Sequence, residues 1–171
     1  MKKLGIGITG SFCNLIESLK VYNELSKSYK ITFFVSNTVQ EEVNRFIKYD
    51  DYKKELLKIG DVKESISEAE KYGPFLPLDL FLLIILFLLG KFFASGLVPI
   101  IYSDTIVPPS FIISLNKLYL GIYDTPVLMA TKAHLRTNKP VIVGIASNDY
   151  LGISGKNLFG LLNLKNIYLV E

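Results

Sequence analysis

The chain has 171 residues, half of them apolar, and a net charge of +3 from 19 basic and 16 acidic side chains. This length predicts one domain around a single core, and the charges are scattered rather than grouped in blocks that bind nucleic acid. One cysteine, Cys13, excludes an internal disulfide, and one histidine, His134, leaves no cysteine–histidine cluster for a metal. Because no signal-peptide pattern precedes the first apolar segment, we expect a cytoplasmic protein.

The first stretch predicts a strand, a tight turn and a helix. Residues 3–8 are mostly apolar and lead into Thr9-Gly10-Ser11, after which apolar side chains recur at helical spacing up to Leu25. The free N–H groups of a first helical turn, aided by hydroxyl groups, can hold a phosphate or carboxylate. The alternative is a tight connection that binds nothing.

A second strand and helix follow. Residues 30–35 are rich in β-branched and aromatic side chains and end at Ser36, a typical residue for a helix cap. Two apolar stripes come next, the second of which includes Leu57, and we expect Gly60 to stop that helix. Residues 61–72 are polar and predict a short surface helix.

The apolar run at residues 80–101 allows two interpretations. It contains a single charge, Lys91, and is long enough for a membrane-spanning helix. The alternative is a fully buried parallel strand over residues 80–86, since such strands are also continuously apolar. We favour the strand because a central lysine and the helix-breaking Pro99 both oppose insertion into a bilayer.

The last part of the chain returns to alternating elements. A cap and proline at residues 124–126 predict a helix that runs to about Arg136. Residues 141–146 predict a buried strand, followed by a helix at 155–163 and a strand at 166–170. This alternation predicts a three-layer α/β fold, Rossmann-like or flavodoxin-like, around a parallel sheet.

Parallel sheets bind ligands beyond the carboxyl ends of their strands, where several polar residues are expected here. Asn148 and Asp149 follow the buried strand at 141–146, so we consider them candidate ligands of a small anionic molecule. Lys132 and Arg136 lie one turn apart on a helix and are candidates for binding an anionic dicarboxylate or a partner; the alternative is solvated charge.

Two reactive side chains have a structural alternative. Cys13 follows the turn near a helix start, where a thiol can become nucleophilic, although a lone cysteine there also suits a small core residue. His134 has the titration range of a general base. Its helical neighbours Lys132 and Arg136 favour instead a surface or interface position.

Several segments resemble the dipicolinate synthase B subunits, which belong to the flavoprotein decarboxylase-like class. The likeness is close at residues 7–13, Gly-Ile-Thr-Gly-Ser-Phe-Cys, and closer over residues 123–141, which read Tyr-Asp-Thr-Pro-Val-Leu-Met-Ala-Thr-Lys-Ala-His-Leu-Arg-Thr-Asn-Lys-Pro-Val. It continues at residues 147–152 and 161–168, and weakly over residues 36–46. The resemblance spans most of the chain except one internal segment.

The resemblance implies a protein of a sporulating bacterium's mother cell. Such a protein works with an A subunit, the NADP-binding partner, to form dipicolinic acid from a dihydrodipicolinate-like precursor, and homo-oligomers are expected. By analogy with the class, FMN is the expected cofactor. Its expected ligands are Thr9, Gly10, Ser11, Phe12, Ser36 and Asn148.

Two departures from the family pattern concern activity. The family follows its Leu-Pro-Leu-Asp strand with a Pro-Cys-Thr-Gly-Asn-Thr turn, whereas this chain has an apolar insertion at residues 80–105 and Phe-Ile-Ile at residues 111–113. Bulky apolar side chains cannot reproduce the hydrogen bonds or the close approach of Thr-Gly-Asn. The chain also ends before the family's usual terminal segment. We therefore expect either an impaired copy or a paralogue with a remodelled pocket.

Two other functions are weighed against a role in the synthase. One is an FMN-dependent decarboxylase of the phosphopantothenoylcysteine decarboxylase type, which would need a histidine after the second helix; residues 46–79 contain none. The other is a non-catalytic remnant anchored in a membrane through residues 80–101.

Overall fold

A computed structural model of the chain describes residues 1–9, 15–41, 47–73, 75–84, 109–144 and 153–170. Strands and helices alternate through most of these ranges. In chain order they are β1 Lys2–Ile8, α1 Leu15–Ser26, β2 Tyr29–Val35, α2 Asn37–Glu41, α3 Tyr49–Ile59, β3 Asp61–Lys63, α4 Ile66–Ala69, β4 Leu80–Ile84, α5 Pro109–Tyr119, α6 Pro126–Leu135, β5 Val141–Gly144, α7 Ile153–Leu162 and β6 Ile167–Val170.

The described strands form one parallel sheet in the order β3-β2-β1-β4-β5-β6. Strand β1 lies between β2 and β4, and Ile8 at its end is paired with both Val35 and Ile84. Since all the strands run the same way, their carboxyl ends share one edge of the sheet. Helices cover both faces, which confirms the predicted three-layer α/β fold.

Each face of the sheet has its own apolar core. On one face Tyr22 of α1 packs against Phe33 of β2, with ring centroids 5.0 Å apart. On the other face the next residue of the same strand, Phe34, packs against Phe81 of β4 at 5.5 Å. Successive strand residues point to opposite faces, so continuously apolar strands supply both cores at once.

Gly60 ends helix α3 for a different reason from the one expected. Its backbone is extended, with φ −168°, rather than left-handed. A Cβ at this position would overlap the carbonyl oxygen of Ile31 in β2, so glycine permits the close approach of α3 and β2. The expected apolar stripe on α3 is wrong at Leu57, which is 55% exposed.

Two elements of the fold were absent from the sequence prediction. Strand β3 is an edge strand of three residues, Asp61–Lys63, and helix α5 covers Pro109–Tyr119.

The cap of α6 is Thr125, whose Oγ1 accepts a hydrogen bond from the Leu128 N–H at 3.3 Å. Its neighbour Asp124 pairs instead with Lys117 of α5 at 2.5 Å.

The apolar run that begins at residue 80 starts as a strand. Leu80–Ile84 forms β4 between β1 and β5, which confirms the buried-strand interpretation for this part. The rest of the predicted insertion, residues 85–105, lies outside the described residues. Among the helices that the structure describes, none has the length and apolarity needed to cross a bilayer.

Candidate functional site

Thr9 and Ser36 lie side by side at the carboxyl edge of the sheet. Each residue directly follows a strand, β1 or β2, and the last residues of those strands, Ile8 and Val35, are paired in register. The Ser36 N–H donates to the Ile8 carbonyl oxygen at 3.0 Å, which extends the ladder by one bond. We call this pair of hydroxyl-bearing residues, Thr9 and Ser36, the anion corner.

Both hydroxyl groups of the anion corner are buried. Thr9 is 1% exposed and Ser36 is 2% exposed. Within the described ranges neither hydroxyl oxygen has a hydrogen-bond partner. Leaving a buried hydroxyl unpaired costs about 1–3 kcal/mol, so the arrangement suits a ligand with oxygen atoms. Phosphate fits this requirement because its oxygens accept several hydrogen bonds.

Ser36 stands at the N-cap position of α2 but does not use its side chain there. Its carbonyl oxygen accepts hydrogen bonds from the Val39 N–H at 3.0 Å and the Gln40 N–H at 3.3 Å. A serine cap ordinarily accepts with its hydroxyl. Here the hydroxyl of Ser36 takes no hydrogen bond from the described part of the helix and stays available for a ligand.

A polar cluster lies next to the corner, where β2 and β3 end; we call Gln40, Tyr49, Lys53 and Glu64 the polar latch. The Gln40 side-chain amide donates to the Val35 oxygen at 2.9 Å and to the Glu64 main-chain oxygen at 3.2 Å. The Glu64 carboxylate accepts from the Tyr49 hydroxyl and the Lys53 ammonium, each at 2.5 Å.

The polar latch holds Glu64 ionised. Partial burial acts to raise the pKa of Glu64, but the hydrogen bonds from Lys53 and Tyr49 outweigh it and bring the pKa below its ordinary value. Burial, together with the bond to this carboxylate, raises the pKa of the Tyr49 hydroxyl. Tyr49 therefore stays protonated and continues to donate at neutral pH.

Two other residues predicted for the site, Lys132 and Arg136, are not brought together with the corner. Helix α6 ends beside Pro140, which directly precedes β5, so Lys132 and Arg136 in and after its last turn lie toward the amino edge of the sheet. The Lys132 ammonium sits over the Tyr123 ring, 4.5 Å from its centroid, and Arg136 is exposed. Their part in substrate binding stays a prediction.

The remaining predicted ligands fall outside the described residues. They are Gly10, Ser11, Phe12, Asn148 and Asp149. Cys13 also lies outside the described residues. In the ranges that the structure does describe, no group of three or more histidine, cysteine, aspartate or glutamate side chains is placed to hold a metal ion.

The comparisons with known proteins agree with this fold. No family model matches the chain. The chain is 32% identical over 172 residues to the dipicolinate synthase B subunit of Bacillus subtilis strain 168, and the match covers 99% of this chain and 74% of that protein. The chain belongs to the family of dipicolinate synthase B subunits.

Solved structures extend this result. The crystal structure of the dipicolinate synthase B subunit from Bacillus halodurans matches at a TM-score of 0.72 and 32% identity, covering 99% of this chain and 76% of that one. A dodecameric FMN-dependent UbiX-like decarboxylase from Escherichia coli O157:H7 matches at 0.65 and 15% identity, covering 98% and 78%. DmrB of Burkholderia xenovorans in complex with FMN matches at 0.62 and 15%, covering 99% and 88%. At 15% identity the likeness shows the fold alone.

His134 of this member of the B-subunit family is buried, so its expected surface position is wrong. It is fully buried, and its ring packs against Phe81 with centroids 5.8 Å apart. Its Nε2 lies 3.0 Å from the Pro140 oxygen. Three buried residues precede it at helical spacing, Val127, Ala130 and Thr131, and this spacing could have predicted its burial.

We expect the buried His134 to make the folded state sensitive to acid. Burial lowers the pKa of His134 below its ordinary value of 6.5, an effect that the Pro140 oxygen opposes in part. As the pH falls through 6.5, the unfolded state therefore binds a proton before the folded state does. The free energy of unfolding, measured with urea, should decrease as the pH falls from 6.5 to the lower pKa of the folded state. Above pH 6.5 the protonation of His134 should not change the free energy of unfolding.

The matched variant is His134→Gln, whose amide can still donate to the Pro140 oxygen but does not titrate. This variant should lose the part of the pH dependence that lies just below pH 6.5. An unchanged slope in His134→Gln would show that other groups cause the acid sensitivity.

A separate cavity of about 590 Å³ lies at the opposite, amino edge of the sheet. Its lining residues lie at the beginnings of β1, β2 and β3 and at the end of α3, and include Lys3, Lys30 and Gly60. The C-terminal ends of α1 and α3 also lie there. The negative partial charge of their carbonyl groups offsets the positive charge of the lysines and makes the cavity less suited to an anion. The cavity therefore does not belong to the anion corner.

Proposed function

We propose that this chain is a B subunit of dipicolinate synthase that holds FMN, with the FMN phosphate at the anion corner. The observation that carries the proposal is the pair of buried hydroxyls on Thr9 and Ser36, which have no partner in the described part of the chain. They lie at the carboxyl ends of neighbouring parallel strands, where sheets of this kind bind ligands. FMN is named for two similar structures of the same fold.

The residues present fit a phosphate. The hydroxyls of Thr9 and Ser36 would donate to phosphate oxygens, and their burial keeps water from competing for those bonds. Gly10, Ser11 and Phe12 would complete the phosphate site, and Asn148 would lie near the flavin ring. A bound flavin supplies electron transfer, and these residues bind and orient it.

The proposed reaction takes place with an A subunit. The Bacillus subtilis relative is one lettered subunit of its synthase, which implies a partner for that protein, and we extend this to the present chain. The partner would bring NADP, and the substrate would be a small anionic dicarboxylate that is converted to dipicolinic acid. Lys132, Arg136 and Asp149 are the proposed contacts for the dicarboxylate. The setting would be the mother-cell cytoplasm of a sporulating bacterium, with this chain as a homo-oligomer.

We further propose that this copy is impaired in synthesis while it keeps the anion corner. The stretch that replaces the family's Thr-Gly-Asn turn, residues 111–113, forms part of helix α5. A helix that begins at Pro109 differs from a turn whose glycine allows close approach of the main chain. Binding of the phosphate and completion of the reaction site are therefore separate properties in this chain.

Dipicolinate formation tests the proposed function. The chain mixed with a competent A subunit should form no more dipicolinate than that partner on its own. A chimera in which residues 85–114 are replaced by the corresponding segment of the Bacillus subtilis relative should form measurably more, because β4 and the corner are kept. No gain from a folded chimera would contradict the proposed role in the synthase, and full activity of the unmodified chain would contradict the impairment.

The decarboxylase alternative has less support from the same residues. The only histidine in the sequence, His134, is buried beside Pro140 at the edge of the sheet opposite the anion corner. It is therefore badly placed to act on a substrate bound near Thr9 and Ser36. The decarboxylase with 15% identity shares the fold, and a shared fold at that identity does not indicate that this chain catalyses the same reaction.

A further inference from the structure

The side chain of Gln40 joins the ends of two strands at the anion corner. Its amide nitrogen donates to the oxygen of Val35, the last residue of β2, at 2.9 Å. The same nitrogen donates to the main-chain oxygen of Glu64, the residue that follows β3, at 3.2 Å. One partly buried amide therefore ties helix α2 to two neighbouring strands.

These bonds fix the main chain on both sides of the Ser36 side chain. The Val35 oxygen is held by Gln40, the Ser36 N–H is held by the Ile8 oxygen at 3.0 Å, and the Ser36 oxygen accepts from Val39 and Gln40. A main chain held at three successive groups cannot turn easily, so the direction of the Ser36 side chain is determined by the turn.

We propose that Gln40 is a positioning residue of the anion corner, which fixes the turn from β2 to α2 so that the Ser36 hydroxyl stays free for a bound phosphate. This inference rests on the proposed function. Without the Gln40 bonds the turn can relax, and Ser36 can then cap α2 with its hydroxyl in the ordinary way. Accepting that bond would turn the hydroxyl towards the helix and move its O–H donor away from the phosphate.

The rest of the polar latch supports the second acceptor of Gln40. The Glu64 carboxylate is held by Tyr49 and Lys53, both on α3, so the residue that presents its oxygen to Gln40 is itself fixed. The Lys53 ammonium also compensates the charge of Glu64 close to a site that would hold an anion.

The test measures the dissociation constant for FMN, by quenching of flavin fluorescence, in Gln40→Met. Methionine has a similar shape but donates no hydrogen bond. We expect FMN to bind about tenfold more weakly, which corresponds to the loss of the one hydrogen bond from the Ser36 hydroxyl to the phosphate. Thr137→Val is the control. It removes the 2.7 Å bond from the Thr137 hydroxyl to the His134 oxygen at the other edge, and should lower the melting temperature without changing FMN affinity.

A double-mutant cycle with Ser36→Ala separates positioning from general stability. If Gln40 acts through Ser36, Gln40→Met should cause no further loss of affinity once the Ser36 hydroxyl is absent. An equal loss in both backgrounds, or no loss in Gln40→Met, would overturn the inference while FMN binding by the unmodified chain stands. Absence of FMN and phosphate binding by the unmodified chain would overturn both the proposed function and this inference.

A second variant covers the case in which Gln40→Met does not fold. In Gln40→Lys the ammonium group can donate to both carbonyl oxygens in place of the amide. FMN should therefore bind more tightly to Gln40→Lys than to the double variant that also carries Ser36→Ala. A Gln40→Lys protein whose affinity does not depend on the Ser36 hydroxyl would also contradict the inference.

Discussion

Ser36→Asp is expected to abolish FMN binding, with a loss of affinity of about 100-fold or more. Two like charges about 4 Å apart repel by about 4 kcal/mol at the effective dielectric constant of a partly buried site. Ser36 is almost fully buried, which limits screening by solvent. Aspartate is also a good N-cap residue, so α2 should persist in the variant. Titration of FMN fluorescence measures the loss.

Ser36→Asn provides the matched control because asparagine is close in size to aspartate, caps helices equally well and carries no charge. It should lose far less affinity than Ser36→Asp. Urea unfolding of the two apo-proteins reports the separate cost of burying a carboxylate. Equal FMN affinities in the aspartate and asparagine variants would mean that no anion binds beside Ser36.

Gly60→Ala is expected to lower the free energy of unfolding by about 3 kcal/mol, the upper part of the usual range for overpacking. The new Cβ would overlap the main-chain oxygen of Ile31, and a main-chain atom of a strand paired with β1 cannot move aside as a side chain can. Helix α3 and strand β2 would have to separate. Urea unfolding followed by circular dichroism measures the effect.

Gly144→Ala is the control for that experiment. Among the described residues nothing lies within 4 Å of a Cβ built at Gly144, at the end of β5. Alanine also restricts the unfolded chain more than glycine does, so this variant should be neutral or slightly more stable. A similar loss in both glycine variants would show that close approach of α3 to β2 is not what requires Gly60.

The sequence was most informative where local pattern and tertiary structure agree. Residues 30–35 are rich in β-branched and aromatic side chains and residues 141–144 are apolar, and both form strands of the parallel sheet as predicted. Thr9 and Ser36 could be predicted as neighbours because each follows such a strand, and parallel strands end at a common edge. In the folded chain they lie side by side.

The features that the sequence prediction missed depend on long-range contacts or on weak local patterns. Strand β3 has three residues, two of them charged, and is recognisable only through its pairing with β2. Helix α5 begins with a proline, a serine and three consecutive apolar residues at 111–113, and this start shows no clear helical period. The bond from Gln40 to Glu64 joins residues 24 positions apart, so no local pattern indicates it.

His134 shows the opposite error, in which a local pattern was given too much weight. Its charged neighbours Lys132 and Arg136 favoured a surface position, but both lie on other sides of the helix. The spacing from Val127 places His134 on the buried side of α6, where desolvation keeps it neutral.

Calorimetric titration of the unmodified chain with FMN and with riboflavin tests most directly whether the corner formed by Thr9 and Ser36 binds a phosphate. The two ligands share the ring and the ribityl chain and differ in the phosphate alone. We predict that FMN binds at least about 100-fold more tightly, since a buried phosphate accepts several charge-assisted hydrogen bonds. Equal affinities for FMN and riboflavin, or no binding of either, would contradict the account.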